Sequence, residues 1–342
     1  MSDPDPGLRV LDGEMDEVAV HALASGEVAV FSCRSPGREG PNEDSAAVLP
    51  FGDGSYVFAV ADGLGGNRAG ARASSLAIDA LAAALLEARR EQWPLRTAMM
   101  NGIERANEEI RALGIGACTT LSAVELADGA VRPYHVGDSM ILLIGQRGRL
   151  KLQTVAHSPV GFAVEAGLLD EDKAMHHEER HLVSNVLGAP DMRIEVGSQR
   201  RIALRDTLLL ASDGLSDNLR TDEIVALLRT GPLDAACERL AELARARMHA
   251  PGDGEPSKPD DLTFVAFRRV AQGGRRSRPQ VSRSAPKANE GRKGRSEAKP
   301  SEGPAGWNQH SACKRAIVAL ASRITRSMIS AQVGMSEIPP AP

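Results

Sequence analysis

Acidic residues recur at the ends of apolar runs in this 342-residue chain. SYVFAVA runs into Asp62-Gly63, RPYHVG into Asp138-Ser139, and TLLLAS into Asp213-Gly214. Asp260-Asp261 stands immediately before LTFVAF, and Glu43-Asp44 before SAAVLP. One Asp-Gly pair after a strand is an ordinary turn. Five acidic strand edges between residues 43 and 261 point instead to carboxylates converging on one rim of a sheet. Left unpartnered there, they repel and raise one another's pKa. A divalent cation removes the conflict, and hard oxygen ligands select Mg²⁺, Mn²⁺ or Ca²⁺ rather than zinc. On these residues alone the cluster reads as a metal site whose chemistry is open.

The elements that must position these side chains are legible from pattern. EVAVFSC, SYVFAVAD, CTTLSAVEL, RPYHVGDSMILLIG, TLLLASDG and LTFVAFRRV read as strands from their β-branched content and length, and SAAVLP as extended. Residues 69–91, rich in Ala and Leu, read as a long helix, and 95–113, 221–229 and 233–249 as further helices. Short polar turns such as Ala127-Asp128-Gly129 favour antiparallel pairing over strict βαβ alternation. The loop Asp62-Gly63-Leu64-Gly65-Gly66-Asn67-Arg68-Ala69-Gly70 joins a strand to the long helix, and its glycines let backbone approach a ligand. It lacks the Gly-Lys-Ser/Thr of a P-loop and the third glycine of a dinucleotide fingerprint.

The formal charge of −4 sums two unlike parts. Residues 271–342 hold 13 Lys+Arg against 4 Asp+Glu, whereas residues 1–270 hold 28 against 41. In 271–310, Gly, Pro and Ser supply 15 of 40 residues, too little apolar surface to offset ordering entropy, so this stretch is expected to be disordered. Ile317, Leu320, Ile324 and Met328 make 311–333 a candidate basic amphipathic helix. The expected organisation is a polar lead-in over 1–26 with a short helix or strand, a catalytic domain over 27–270, and a basic tail over 271–342. No apolar run reaches the roughly 18–20 residues of a bilayer span, and the acidic start does not read as a secretory signal. Cys33, Cys118, Cys237 and Cys313 lie far apart, as reduced thiols of a cytoplasmic protein would.

Six ordered blocks, GREGPNEDSAAV, YVFAVADGLGGNRAG, ACTTLSAV, YHVGDSM, TLLLASDGLSDNL and PDDLTFVAF, give the chain a resemblance to the metal-dependent protein phosphatase 2C family. They cover about residues 30–268, and Leu64 in place of histidine brings the chain nearer the short bacterial branch. The resemblance implies an α+β fold, a four-layer α-β-β-α sandwich of two antiparallel sheets flanked by helices. By motif, Asp62 would bridge two Mn²⁺ or Mg²⁺ ions. Glu43 and the Gly63 carbonyl would bind one, and Asp213 and Asp260 the other. Asp44 would stand immediately behind them, and Asp138 with Asp213 would form a third, weaker site. The implied reaction is hydrolysis of phosphoserine or phosphothreonine in proteins phosphorylated by a Ser/Thr kinase. Two ions about 3.5–4 Å apart supply hydroxide near neutral pH, so no protein nucleophile is needed. A planar guanidinium suits the phosphate, with Arg38 the first candidate and Arg34 behind it.

The chain departs from the family at several points. Three residues separate Arg38 from Asn42-Glu43-Asp44 where two are usual. Met140, Cys118, Ala156 and Asp261 replace the common arginine, glycine, aspartate and asparagine of their motifs. The altered Arg38 spacing motivates the alternative of an inactive phosphatase-like module that binds phosphoproteins. A cysteine phosphatase loop at Cys33–Arg38 is one residue short of the needed spacing. His177 and His181 lie at the i,i+4 spacing of a zinc pair if helical, but a solvated, substrate-facing segment is the plainer reading. The basic tail offers electrostatic docking to an anionic partner, and with Trp307 its only aromatic it is poorly equipped for base stacking.

Overall fold

Period-two alternation along the strands sorts the apolar residues into three cores, and those cores define the layers. The computed structural model describes residues 7–270 apart from Gly65, Asn67, Pro251 and Asp253. The expected tail, including the 311–333 helix candidate, lies outside the described residues.

One antiparallel sheet runs β1 (Leu8–Leu11), β4 (Asp44–Gly52), β5 (Ser55–Leu64), β7 (Leu121–Ala127), β8 (Ala130–Val136) and β11 (Glu195–Val196). The short strands β6 (Cys118–Thr119) and β12 (Arg200–Arg201) attach to β5 and β8. The second sheet runs β10 (Leu150–Gln153), β9 (Met140–Ile144), β13 (Thr207–Ala211), β14 (Leu262–Arg269), β3 (Gly26–Cys33) and β2 (Ala19–Leu23). β1 and β2 come from the stretch expected as a lead-in. They pair with β4 and β3, so each sheet takes an edge strand from it.

Phe58 and Val60 of β5, Ala46 and Val48 of β4, Leu208 and Leu210 of β13, and Val265 and Phe267 of β14 fill the core between the sheets. The alternate residues of the first sheet, such as Val57, Ala59 and Ala61, pack under helices α1 (Arg68–Glu91) and α2 (Leu95–Ala112). Those of the second, such as Leu209, Phe264 and Ala266, pack under α6 (Thr221–Leu228) and α7 (Leu233–His249). The result is the expected α+β four-layer sandwich. The shorter helices α3 (Pro159–Glu165), α4 (Glu171–Ala174) and α5 (Asp213–Ser216) sit in connections.

The long helix qualifies a sequence expectation. α1 has the length and mean hydropathy of a membrane span. Its apolar stripe of Ala73, Ala77, Leu81 and Leu85 is nevertheless buried in the core against the sheet. Its apolarity comes from alanines packed on the sheet, so the structure uses it as a core helix.

Candidate metal centre

The alternation that fills the inter-sheet core turns polar at one end of it. Asp44 continues the face of Ala46 and Val48, and Asp62 the face of Phe58 and Val60; the two are direct partners across β4 and β5. Ser212 follows Leu208 and Leu210 on the facing sheet, and its hydroxyl donates to Asp44 Oδ2 at 2.7 Å. Ser32 and Thr263 meet at 2.7 Å beside them. The carboxylates therefore cap a dry core, where an uncompensated charge is costly.

Each acid is held by backbone that the sequence explains locally. The Asp62 carbonyl accepts from the Thr120 N–H at 2.8 Å and the Thr119 hydroxyl at 2.7 Å, tying the end of β5 to the β6–β7 junction. Asp138 lies in the corner between β8 and β9. That corner is pinned by His157, whose Nδ1 accepts from the Gly137 N–H at 3.1 Å and whose own N–H donates to the Gly137 carbonyl at 2.8 Å. Asp213 opens α5 instead of lying in a turn, and the one-turn helix also brings Asp217 into the site, within 2.8 Å of Lys258 Nζ. Gly214 is needed there for close approach: a Cβ would overlap the Asp261 carbonyl oxygen.

Burial and, after it, charge crowding set the electrostatics of the site. Burial first, then Asp213, Asp44, Asp260 and Asp138, hold the Asp62 carboxyl well above the ordinary carboxylate range. Burial and then Asp261 do the same to Asp44, against the opposing Ser212 hydrogen bond. Asp138 is pushed up to about 8 by burial, with Asp213 and Asp217 adding to it. Burial and Asp213 also raise Asp260. The expected ligands thus feel one another, as convergence on a single rim requires.

The donor set fits a hard divalent cation. Glu43 Oε1 and Asp44 Oδ1 are buried with no hydrogen-bond partner. A Cβ on Gly70 would overlap Glu43 Oε1 and stand 2.7 Å from the Gly63 carbonyl oxygen, so both oxygens converge over the first turn of α1. Orphaned acceptors and a peptide carbonyl facing one space are what an oxygen-liganded ion resolves.

Arg38 reaches this centre despite its extra spacer residue. It forms an ion pair with Glu43 and lies 3.6 Å from Asp261 Oδ2. Asp261 makes that reach possible by accepting from the Ser35 N–H at 2.7 Å and the Glu43 N–H at 2.6 Å, fixing both ends of the loop. Arg34 instead points to Glu14 at 3.3 Å and the Gly40 carbonyl at 2.9 Å. Cys33 ends β3 in a buried position, where burial pushes its thiol up to about 11, so it is protonated at neutral pH and a poor nucleophile.

Two histidine readings are decided by geometry. His177 lies in a turn, its Nδ1 accepting from the Glu179 N–H at 3.1 Å, so the helical zinc pair with His181 does not form. His135, His157 and Glu195 do gather elsewhere. There His157 Nδ1 accepts from Gly137 and from the Asn185 amide at 2.9 Å, leaving its proton on Nε2 to donate to Glu195 at 2.9 Å. That nitrogen has no lone pair for a metal, and the group is a hydrogen-bonded post behind Asp138.

Asp217 and Lys258 are site residues that the strand-end reading missed. The i,i+4 spacing of Asp213 and Asp217 was a usable signal, valid only once α5 is known to be helical. Lys258 Nζ lies 2.7 Å from Asp213 Oδ2, 2.8 Å from Asp217 Oδ2 and 3.0 Å from Asp260 Oδ2, and nothing but its place two residues before Asp260 marked it. Beside the acids lies a cavity of about 390 Å³, lined by Asp138, Asp213 and Asp217 on one side and by Val160, Ala174 and Met175 on the other.

A family model described as Protein phosphatase 2C matches residues 36–250. The chain belongs to the protein phosphatase 2C family. It is 33% identical over 200 residues to the serine/threonine phosphatase stp of Listeria monocytogenes serovar 1/2a, covering 55% of this chain and 78% of that one. The S. agalactiae serine/threonine phosphatase superposes with a TM-score of 0.61 at 28% identity, over 71% of this chain and 99% of that one. The catalytic domain of the protein phosphatase PstP, in complex with two manganese ions, superposes with a TM-score of 0.54 at 29% identity, over 71% of this chain and 98% of that one. Within this phosphatase 2C fold, the Oδ2 of Asp261 accepts from the Glu43 N–H and faces the Arg38 guanidinium.

Proposed function

We propose that this chain is a metal-dependent phosphatase acting on phosphoserine and phosphothreonine in proteins, with its chemistry at the acidic end of the inter-sheet core. The observation that carries this reading is the mutual crowding of Asp44, Asp62, Asp138, Asp213 and Asp260 around one rim, with orphaned oxygens of Glu43 and Asp44 among them. Asp62, Glu43 and the Gly63 carbonyl would hold one ion, and Asp62, Asp213 and Asp260 the other. Asp44 would buttress the pair, and Asp138 with Asp213 would offer a third, weaker position. Bound Mn²⁺ or Mg²⁺ lowers the pKa of water and offsets charge on phosphoryl oxygens.

The chain's own groups do the rest. Arg38 releases Glu43 to grip two phosphoryl oxygens with its planar fork, while Asp261 keeps the loop in place. His157 holds the Gly137–Asp138 corner through two hydrogen bonds. Val160, Ala174 and Met175 flank the cavity where substrate polypeptide would enter. The reduced thiols of Cys33 and Cys237 suit a reducing cytoplasm, where the substrates would be products of a Ser/Thr kinase. The basic tail would bring the enzyme to an anionic partner. Phosphate release from matched phosphoserine, phosphothreonine and phosphotyrosine peptides tests the reading: the first two are turned over with Mn²⁺ and the third at a small fraction of their rate. Equal rates on all three would overturn the substrate assignment.

A further inference from the structure

We propose that Lys258 is a tethered cation that neutralises the Asp213–Asp260 side of the metal centre when no ion is there and must leave before one loads, so that it sets the metal affinity of this chain. The inference rests on the metal-centre reading above. Its ammonium donates a hydrogen bond to Asp213 Oδ2 at 2.7 Å and forms ion pairs with Asp217 Oδ2 at 2.8 Å and Asp260 Oδ2 at 3.0 Å. Two of those acids are the proposed ligands of one ion. A divalent ion and an ammonium cannot share these oxygens without strong repulsion.

The backbone around Lys258 is built to hold the side chain there. Asn218 Nδ2 donates to the Lys258 carbonyl at 2.9 Å, and the Lys258 N–H donates to Asn218 Oδ1 at 2.9 Å. Asn218 itself lies just past α5, which begins at Asp213 and is capped by Asp217, and its amide also donates to the Gly214 carbonyl at 2.9 Å. The lysine main chain is therefore fixed to the element that bears its partners, and only the four-carbon stem is left to move. An ordinary surface lysine would be solvated, whereas this side chain is only 23% exposed.

The rival role is opposite in sign: a lysine that merely orients Asp213 and Asp260 for the ion would strengthen metal binding. Calorimetric titration of metal-stripped full-length protein with Mn²⁺ separates the two. Lys258→Met, which keeps length and removes charge, tightens Mn²⁺ binding by about tenfold or more. It also lowers the melting temperature in EDTA and enlarges the rise that Mn²⁺ produces. Lys258→Arg retains charge and stays near wild-type affinity, and Lys258→Gln repeats the test if the methionine variant fails to fold. Unchanged or weaker Mn²⁺ binding in the uncharged variants overturns the role of Lys258 while leaving the metal centre standing. A wild-type protein that takes up no Mn²⁺ overturns both.

Discussion

Gly70 shows how tightly single atoms are rationed at the metal centre. It sits in the first turn of α1, where alanine would be the better helix former by about 1 kcal/mol. A Cβ there would overlap Glu43 Oε1 and crowd the Gly63 carbonyl. Gly70→Ala should therefore lower the stability of the stripped protein, because the Gly63 backbone must shift to admit the Cβ, and weaken Mn²⁺ binding by about tenfold or more. Calorimetry on the variant checks this, and wild-type affinity would remove Glu43 and Gly63 from the site. His135 gives a second residue-level outcome. Burial, helped by His157, pulls its pKa down to about 4, and its Nε2 donates to the Ser139 carbonyl at 2.8 Å. The ring is neutral in the fold, whereas in the unfolded chain it titrates near 6.5. Between those values the unfolded state binds more protons. This group's contribution is thus complete above pH 6.5, and about 3 kcal/mol is lost as pH falls towards 4. His135→Gln keeps the donor and removes the titration. Denaturant melts at pH 7 and pH 4.5 should show a smaller acid loss in the variant; identical losses would exclude His135 as the cause.

At the scale of elements, the sequence located the acids because strand alternation is local. Asp62 follows Phe58 and Val60 by period two, and Asp44 precedes Ala46 and Val48 the same way, so their shared face is readable without coordinates. The helices over 221–228 and 233–249 were equally legible from their apolar spacing. What stayed hidden depends on contacts between distant segments. Asp213 begins a helical turn because its Gly214 must slip against the Asp261 backbone, and a turn-forming Asp-Gly pair gives no sign of that. Lys258 is 45 residues from Asp213 in sequence, and nothing in its own neighbourhood marks it as a partner. The His177/His181 spacing makes no zinc pair for the converse reason, since i,i+4 has meaning only on a helix and this segment turns instead. The lead-in was legible as strand or helix, but its two edge pairings, β1 with β4 and β2 with β3, join segments across the chain.

For the whole molecule, charge is divided between an acidic stretch over residues 1–270 and a basic stretch over 271–342. The carboxylates that make residues 1–270 acidic include a cluster whose charge a pair of divalent ions would largely offset, and the surplus of Lys+Arg lies beyond residue 270. A chain ending at Val270 should keep the melting temperature and the Mn²⁺-dependent turnover of a small aryl phosphate. Its loss of rate should be confined to protein substrates or anionic surfaces. Loss of small-substrate turnover would make the tail part of the catalytic unit. The central claim is that the acidic rim of the inter-sheet core hydrolyses phosphoserine and phosphothreonine with bound metal. It is tested most directly by phosphate release from a phosphothreonine peptide across a Mn²⁺ titration, with wild type and Asp62→Asn compared. The account predicts release that requires Mn²⁺, stops with EDTA, and falls about a hundredfold or more in a variant that remains folded. Release that persists in EDTA, or a full rate in folded Asp62→Asn, would contradict it.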